Sequence, residues 1–179
     1  EAMFDFLSSP FTISAWINTA TVTGDREIAG KRGSENDKGY ILMTSGDDVF
    51  FYVNDGSWRL AAKVDVISIN QWYHVVAMRT ESGATRVYVN GVVGATIGAV
   101  GTIGNNSYLF KIGDTTQADA GFNGLIDDVK IYNYALTQKQ ISALYDGGSA
   151  GHSNAPVGNW KFDEGYGTTA NNSVTLGGL

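Results

Sequence analysis

The sequence predicts an all-β fold, two antiparallel sheets packed face to face, and three observations predict it. Short runs of alternating apolar and polar residues recur about every 8–12 residues. Clusters of Gly, Asn and Asp stand between them. The composition holds 23 Gly, 2 Pro and 12% aromatic residues against only 17% charged, a balance that suits short strands and tight turns. At 179 residues the chain fits one domain and buries a core without needing a disulfide or a metal to fold.

Phe11–Ile17 (Phe-Thr-Ile-Ser-Ala-Trp-Ile) alternates strictly and reads as a half-buried strand. Glu27–Lys31 follows a Thr/Gly/Asp turn, and polar Ser34–Lys38 reads as a loop. Tyr40–Thr44, Val49–Val53 and Trp58–Val64 form a meander that turns at Ser45-Gly46-Asp47-Asp48 and at Asn54-Asp55-Gly56-Ser57; Asp-Gly between alternating runs is a hairpin signal. Gln71–Arg79 and Thr85–Asn90 join through Glu81-Ser82-Gly83, and Asn90-Gly91 turns the chain into Val92–Thr96. Tyr108–Gly113 and Leu125–Asn133 complete the series. Thr137-Gln138-Lys139-Gln140 is then a capping box, with Ile141 and Leu144 three apart and Gly147-Gly148 as a stop. These features predict one short helix over 137–146. Ser149–Pro156 is a polar linker, Gly158–Asp163 resumes a strand, and Gly165–Leu179 is turn-rich.

Twelve Lys and Arg against 18 Asp and Glu leave a net charge of −6. With no basic run to offset that field, nucleic acid is excluded as a partner. No apolar stretch approaches the roughly 18 residues that span a bilayer. Glu1–Phe6 lacks the basic and apolar segments of a secretion signal, and the chain reads as a piece of a larger protein. The absence of Cys removes thiol catalysis and thiolate metal sites.

Four stretches together resemble the laminin-G-like, concanavalin A-like lectin/glucanase jelly-roll family in its bacterial form. They are Phe11–Ile17, Gln71–Val76 (Gln-Trp-Tyr-His-Val-Val), Arg86–Gly91 (Arg-Val-Tyr-Val-Asn-Gly) and Phe122–Leu136, the last followed by the helix and Leu144-Tyr145-Asp146-Gly147-Gly148. The resemblance implies a two-sheet jelly roll. It also exposes a departure. The family's opening strand, Trp-x-Phe-Asp/Glu-Glu-Gly-x-Gly-Thr, here stands at the C-terminal end as Trp160–Thr168. Read in cyclic order, 157–179 and then 1–155, the chain makes one domain, either permuted or cut across tandem repeats. A sheet lacking that strand exposes an unpaired edge, so residues 159–163 are expected to pair as a strand.

Strand alternation puts Asp127 on the inner face with Val129 and Ile131, and Asp128 outside. A buried carboxylate needs a cation or several N–H donors. The resemblance implies a structural Ca²⁺, with Asp127 and Asp163 as candidate ligands; the alternative is a strand-end Asp accepting backbone N–H bonds. Sugar recognition needs a flat apolar ring flanked by polar groups. Trp16, Trp72 and Trp160 fall in family core signatures and read as structural, whereas Trp58 lies just past a polar turn. Arg59, Asn54 and Asp55 around it, with Tyr52 on the preceding strand, make the candidate ligand site; the alternative is a cross-strand aromatic pair. His74 reads as a satisfied core or semi-buried histidine rather than a catalytic one, and His152 as a solvated linker residue.

Glucanases of the resembled superfamily carry Glu-x-Asp-x-x-Glu on one strand. The nearest match is Glu35-Asn36-Asp37-Lys38-Gly39-Tyr40, which lacks the second Glu and lies in a polar loop. Glycosidases oppose two carboxylates across the scissile bond, and no such pair is evident, so the chain is not expected to be an enzyme. The expected function is non-catalytic carbohydrate binding, targeting a polysaccharide for the other domains of a secreted or surface protein. The rival is a protein-interaction or spacer domain of an adhesin, and a glucanase is a third reading.

Overall fold

Strand β1 (Phe11–Thr19) runs through the middle of a six-stranded sheet, and its alternation separates core from surface. The computed structural model describes residues 4–33, 38–65, 67–104, 106–114, 120–151, 155–164 and 169–174, with the backbone alone for 58 and 61–65. After β1 come β2 (Asp25–Lys31), β3 (Gly39–Ser45), β4 (Asp48–Asn54), β5 (Trp58–Asp65), β6 (Trp72–Arg79), β7 (Thr85–Val89), β8 (Val92–Ile97), β9 (Lys111–Ile112), β10 (Gly124–Tyr132), helix α1 (Gln138–Tyr145) and β11 (Gly158–Trp160). One sheet has the order β11-β10-β1-β6-β7-β8 and the other β5-β4-β3-β2-β9. Every strand pair is antiparallel. This is a jelly-roll sandwich, as the alternation and turn spacing predict.

Phe11, Ile13, Ala15 and Ile17 of β1 meet Leu42, Val49, Phe51, Val75, Val87 and Ile131 in the core between the sheets. Two turns show local chemistry deciding the path. Asn90 and Gly91 take φ of 50° and 77°, the paired left-handed conformations that a two-residue hairpin loop requires. Thr137 caps α1: its hydroxyl accepts from the Gln140 N–H at 3.3 Å and Gln140 Oε1 accepts from the Thr137 N–H at 2.8 Å. The helix then lies on the outer face of the six-stranded sheet. Its Ile141 and Leu144 cover Val76, Met78, Tyr88 and Tyr132.

The tail strand β11 pairs with β10 through Val129↔Trp160 and Ile131↔Gly158. The Trp160 ring stacks on Phe110 at 5.9 Å and lies 6.1 Å from Phe4, so this tryptophan is structural as expected. Pairing stops at Trp160 rather than running to residue 163, because Phe162 takes a φ of 53° and turns the chain. Asn172 returns to bridge Trp160, and the Ser173 N–H donates to the Asn159 carbonyl at 2.8 Å.

One irregularity positions the site. Between β1 and β10 the register steps from Ser14↔Lys130 to Trp16↔Asp127, so β10 carries one residue more than β1 at that point. The extra residue is accommodated by Asp128 at φ 49°. This is a β-bulge, and it reverses the inside–outside alternation on either side of itself.

Candidate functional site

With Phe11, Ile13, Ala15 and Ile17 facing inward, Thr12, Ser14, Trp16 and Asn18 point out of the sandwich. The register sets Trp16 between His74 on β6 and Asp127 on β10, and Asn18 between Trp72 and Leu125. Helix α1 covers the Thr12 and Ser14 end of this face and finishes at Tyr145, whose ring stacks on Trp16 at 5.8 Å and 24°. Past Tyr145 the face opens. There Trp16, Trp72, Asp127, Asp128 and Lys161 line a cleft of about 470 Å³. Trp72 is 44% exposed and Leu125 60%.

The polar groups of the cleft are distinct in their commitments. Asp127 Oδ1 accepts the Asp128 N–H at 2.7 Å. Asp128 is ion-paired with the Lys130 ammonium. Lys161, directly after β11, is exposed and makes no ion pair among the described residues. Among the described residues the cleft thus holds one carboxylate without a cation, Asp127, and one ammonium without an anion, Lys161.

Beneath it His74 is 1% exposed. Its Nε2 lies 2.8 Å from the Ser14 hydroxyl, its Nδ1 has no hydrogen-bond partner, and its backbone N–H donates to Asn90 Oδ1 at 2.9 Å. The ring centre is 5.3 Å from that of Trp16 and 6.2 Å from that of Tyr145. Burial, with help from the Lys130 charge and against that of Asp128, lowers its pKa to about 4. His74 is therefore a neutral spacer that supports Trp16: it is buried, as its reading expects, but with Nδ1 unpaired among the described residues rather than fully satisfied.

Of the ligand-site residues singled out from the sequence, Tyr52, Asn54, Asp55 and Arg59 go elsewhere. Tyr52 lies on the outer face of the five-stranded sheet, half-buried beside Ile41, Met43 and Phe50, its ring 5.7 Å from that of Phe50. Burial raises its pKa, with a smaller contribution from Asp25. Asn54 is buried and its Oδ1 accepts the Gly56 N–H at 2.9 Å. Asp55 accepts from Arg59 Nε and from the Gly101 N–H, both at 2.9 Å. Those bonds, the Arg59 one foremost, hold its carboxyl below the usual range. Asn54, Asp55 and Arg59 thus close the β4–β5 turn and pin it to the loop at Gly101. The Trp58 backbone pairs with Asn54, and its side chain lies outside the described residues, as do Glu35, Asp37 and His152.

Two expectations are corrected. Trp16 and Trp72 fall in family core signatures, yet both stand on the outward half of their strands: Trp16 packs there against Tyr145 and His74, and Trp72 is exposed rather than structural. Asp127 does not face inward with Val129 and Ile131. The bulge at Asp128 turns it outward, exposed, opposite Trp16. Asp163 is also exposed, past the turn at Phe162. Among the described residues no three His, Asp or Glu side chains gather as they would around a metal ion. At Asp127 the neighbouring carboxylate is held by Lys130 and Lys161 lines the same cleft, a donor set that does not fit Ca²⁺.

A two-sheet antiparallel sandwich with an aromatic cleft on one outer face defines the class. Residues 2–142 match the laminin-G type of the concanavalin A-like lectin/glucanases superfamily, and the chain belongs to that family. No curated protein sequence matches it. Among solved structures it is similar to a protein from Bacteroides ovatus ATCC 8483 to which carbohydrate binding is ascribed, with TM-score 0.69 and 23% identity over 93% of this chain and 50% of that one. Domain 4 of AbnA, a GH43 extracellular arabinanase from Geobacillus stearothermophilus solved with arabinotriose, gives TM-score 0.65 and 24% identity over 76% of this chain and 66% of that one. The binding domain of botulinum neurotoxin serotype G gives 0.61 and 17% over 79% and 36%. At these identities the likeness is one of fold. The chain spans about half the length of the first of these relatives. No helix among the described residues is long and apolar enough to cross a membrane.

Proposed function

We propose that this domain binds carbohydrate without cleaving it, as a module of a larger secreted or surface protein, and that the Trp16–Trp72 cleft is the binding site. The observation that carries the reading is the solvent-exposed indole of Trp72 beside a carboxylate without a cation and an ammonium without an anion among the described residues, in one open cleft. An indole offers a flat apolar face to the C–H side of a sugar ring, and charged groups at its edge orient the hydroxyls. Membership of a lectin/glucanase superfamily supports the reading, as do the two carbohydrate-associated neighbours. Binding is favoured over hydrolysis because the cleft's two carboxylates are consecutive on one strand and one is tied to Lys130, whereas cleavage needs two opposed across the bond.

Affinity electrophoresis and calorimetry against a polysaccharide panel test the proposal. Trp72→Ala is expected to weaken binding by about 30-fold, the loss of an aromatic anchor worth about 2 kcal/mol, with EDTA leaving affinity unchanged. Binding that survives both Trp72→Ala and Trp16→Ala refutes this site. Absence of binding to every polysaccharide leaves the adhesin spacer as the better reading.

A further inference from the structure

Resting on that carbohydrate reading, we infer that the ligand is a neutral polysaccharide, one carrying neither uronate carboxylates nor free amino groups. The inference comes from the charge balance in the cleft. Asp128 and Lys130 cancel each other through their ion pair. What remains is Asp127, with one oxygen taken by the Asp128 N–H, and Lys161. They are opposite in sign and both line the cleft beside the indoles. A uronate drawn to Lys161 meets the Asp127 carboxylate and a protein of net charge −6. An amino sugar drawn to Asp127 meets the Lys161 ammonium. A pair of neutral hydroxyls meets neither repulsion: one donates to Asp127 and the other accepts from Lys161, each through a charge-assisted hydrogen bond. Hydroxyls are donor and acceptor at once, so a neutral sugar satisfies a site holding one anion and one cation.

The shape agrees with a chain passing through. The cleft is walled on one side by Tyr145 over Trp16, while Trp72 and Leu125 continue the apolar surface away from it. An extended polymer lying across β10, β1 and β6 covers that row.

The test uses the intact chain and three probe types: neutral polymers (arabinan, xylan and mixed-linkage β-glucan), polygalacturonate, and chitosan. Asp127→Asn and Lys161→Met, both at exposed positions, are compared with the parent by calorimetry. For a neutral ligand each substitution weakens binding by about tenfold, and affinity changes little between 20 and 500 mM NaCl. Opposite signs overturn the inference. If polygalacturonate binds best, Lys161→Met abolishes binding while Asp127→Asn strengthens it, and affinity falls steeply with salt; chitosan gives the mirror pattern. In either case Trp72→Ala still weakens binding, so the carbohydrate reading survives while the ligand class is wrong. If no polymer shows Trp72-dependent binding, both fall.

Discussion

His74 gives this domain a pH dependence that can be worked out from its surroundings. Its ring is enclosed by Trp16, Tyr145 and Ser14, and no acceptor reaches Nδ1. A proton there would charge a group cut off from water. The folded protein keeps the imidazole neutral down to about pH 4, whereas an unfolded chain protonates near 6.5. Between those values the unfolded state binds more protons, so stability falls as the pH falls. At about 1.4 kcal/mol for each pH unit, the loss reaches about 2 kcal/mol at pH 5 and about 3 kcal/mol at pH 4. Urea unfolding at pH 7.5 and 5.0, on the parent and on His74→Phe, isolates the effect from that of the carboxylates, which both proteins share. His74→Phe strands the Ser14 hydroxyl and lowers stability by about 1–2 kcal/mol at pH 7.5. Its further loss on going to pH 5.0 is expected to be smaller than the parent's by about 2 kcal/mol. Equal losses in the two proteins would refute the reasoning, as would an NMR titration placing the His74 ring near its unperturbed value.

Trp72 and the tail tryptophan separate cleanly in stability. Trp160→Ala removes the ring packed against the Phe4–Phe110 pair and is expected to cost about 3 kcal/mol, whereas Trp72→Ala is expected to stay within about 0.5 kcal/mol; comparable urea midpoints for the two would contradict the docking of β11. Lys31 is buried, its Nζ 2.5 Å from Asp5 Oδ1 and 2.9 Å from the Asn106 carbonyl. Lys31→Met leaves Asp5 without its cation and is expected to cost about 3 kcal/mol, with most of it recovered in the Lys31→Met/Asp5→Leu pair; a double variant no more stable than the single would refute the pairing.

The strands were legible because period-2 alternation and turn chemistry act locally. Phe11–Ile17 became the core of β1, Asn90-Gly91 took the left-handed pair its residues favour, and Thr137/Gln140 closed the capping box. β9 shrank from Tyr108–Gly113 to two residues because only Lys111 and Ile112 find a partner on β2. The site was less legible. Asn54, Asp55 and Arg59 are polar residues near an aromatic, but such residues in a tight turn first satisfy the turn's own backbone, and here they do. The missed signal was Trp16. It stands in register with Thr12, Ser14 and Asn18, the polar half of an alternating strand, and a tryptophan on that half faces away from the core whatever family signature contains it.

The error over Asp127 has a different origin, and it explains why the cleft exists. Alternation puts Val129 and Ile131 in the core, where the structure has them, and uninterrupted alternation would carry Asp127 in with them. A carboxylate there would lie among Ile13, Ala15 and Ile17 with no cation at hand, an arrangement costing several kcal/mol. One additional residue in β10, absorbed by Asp128 in the left-handed region that Asp tolerates better than most residues, moves Asp127 to the surface and returns Ile126 to the core side. The same step sets Asp127 opposite Trp16 instead of Ile17. Asp127 therefore needs no metal to be tolerated. The bulge that relieves its burial also delivers an uncommitted carboxylate to the edge of an indole, which is the pairing a sugar hydroxyl and its ring require.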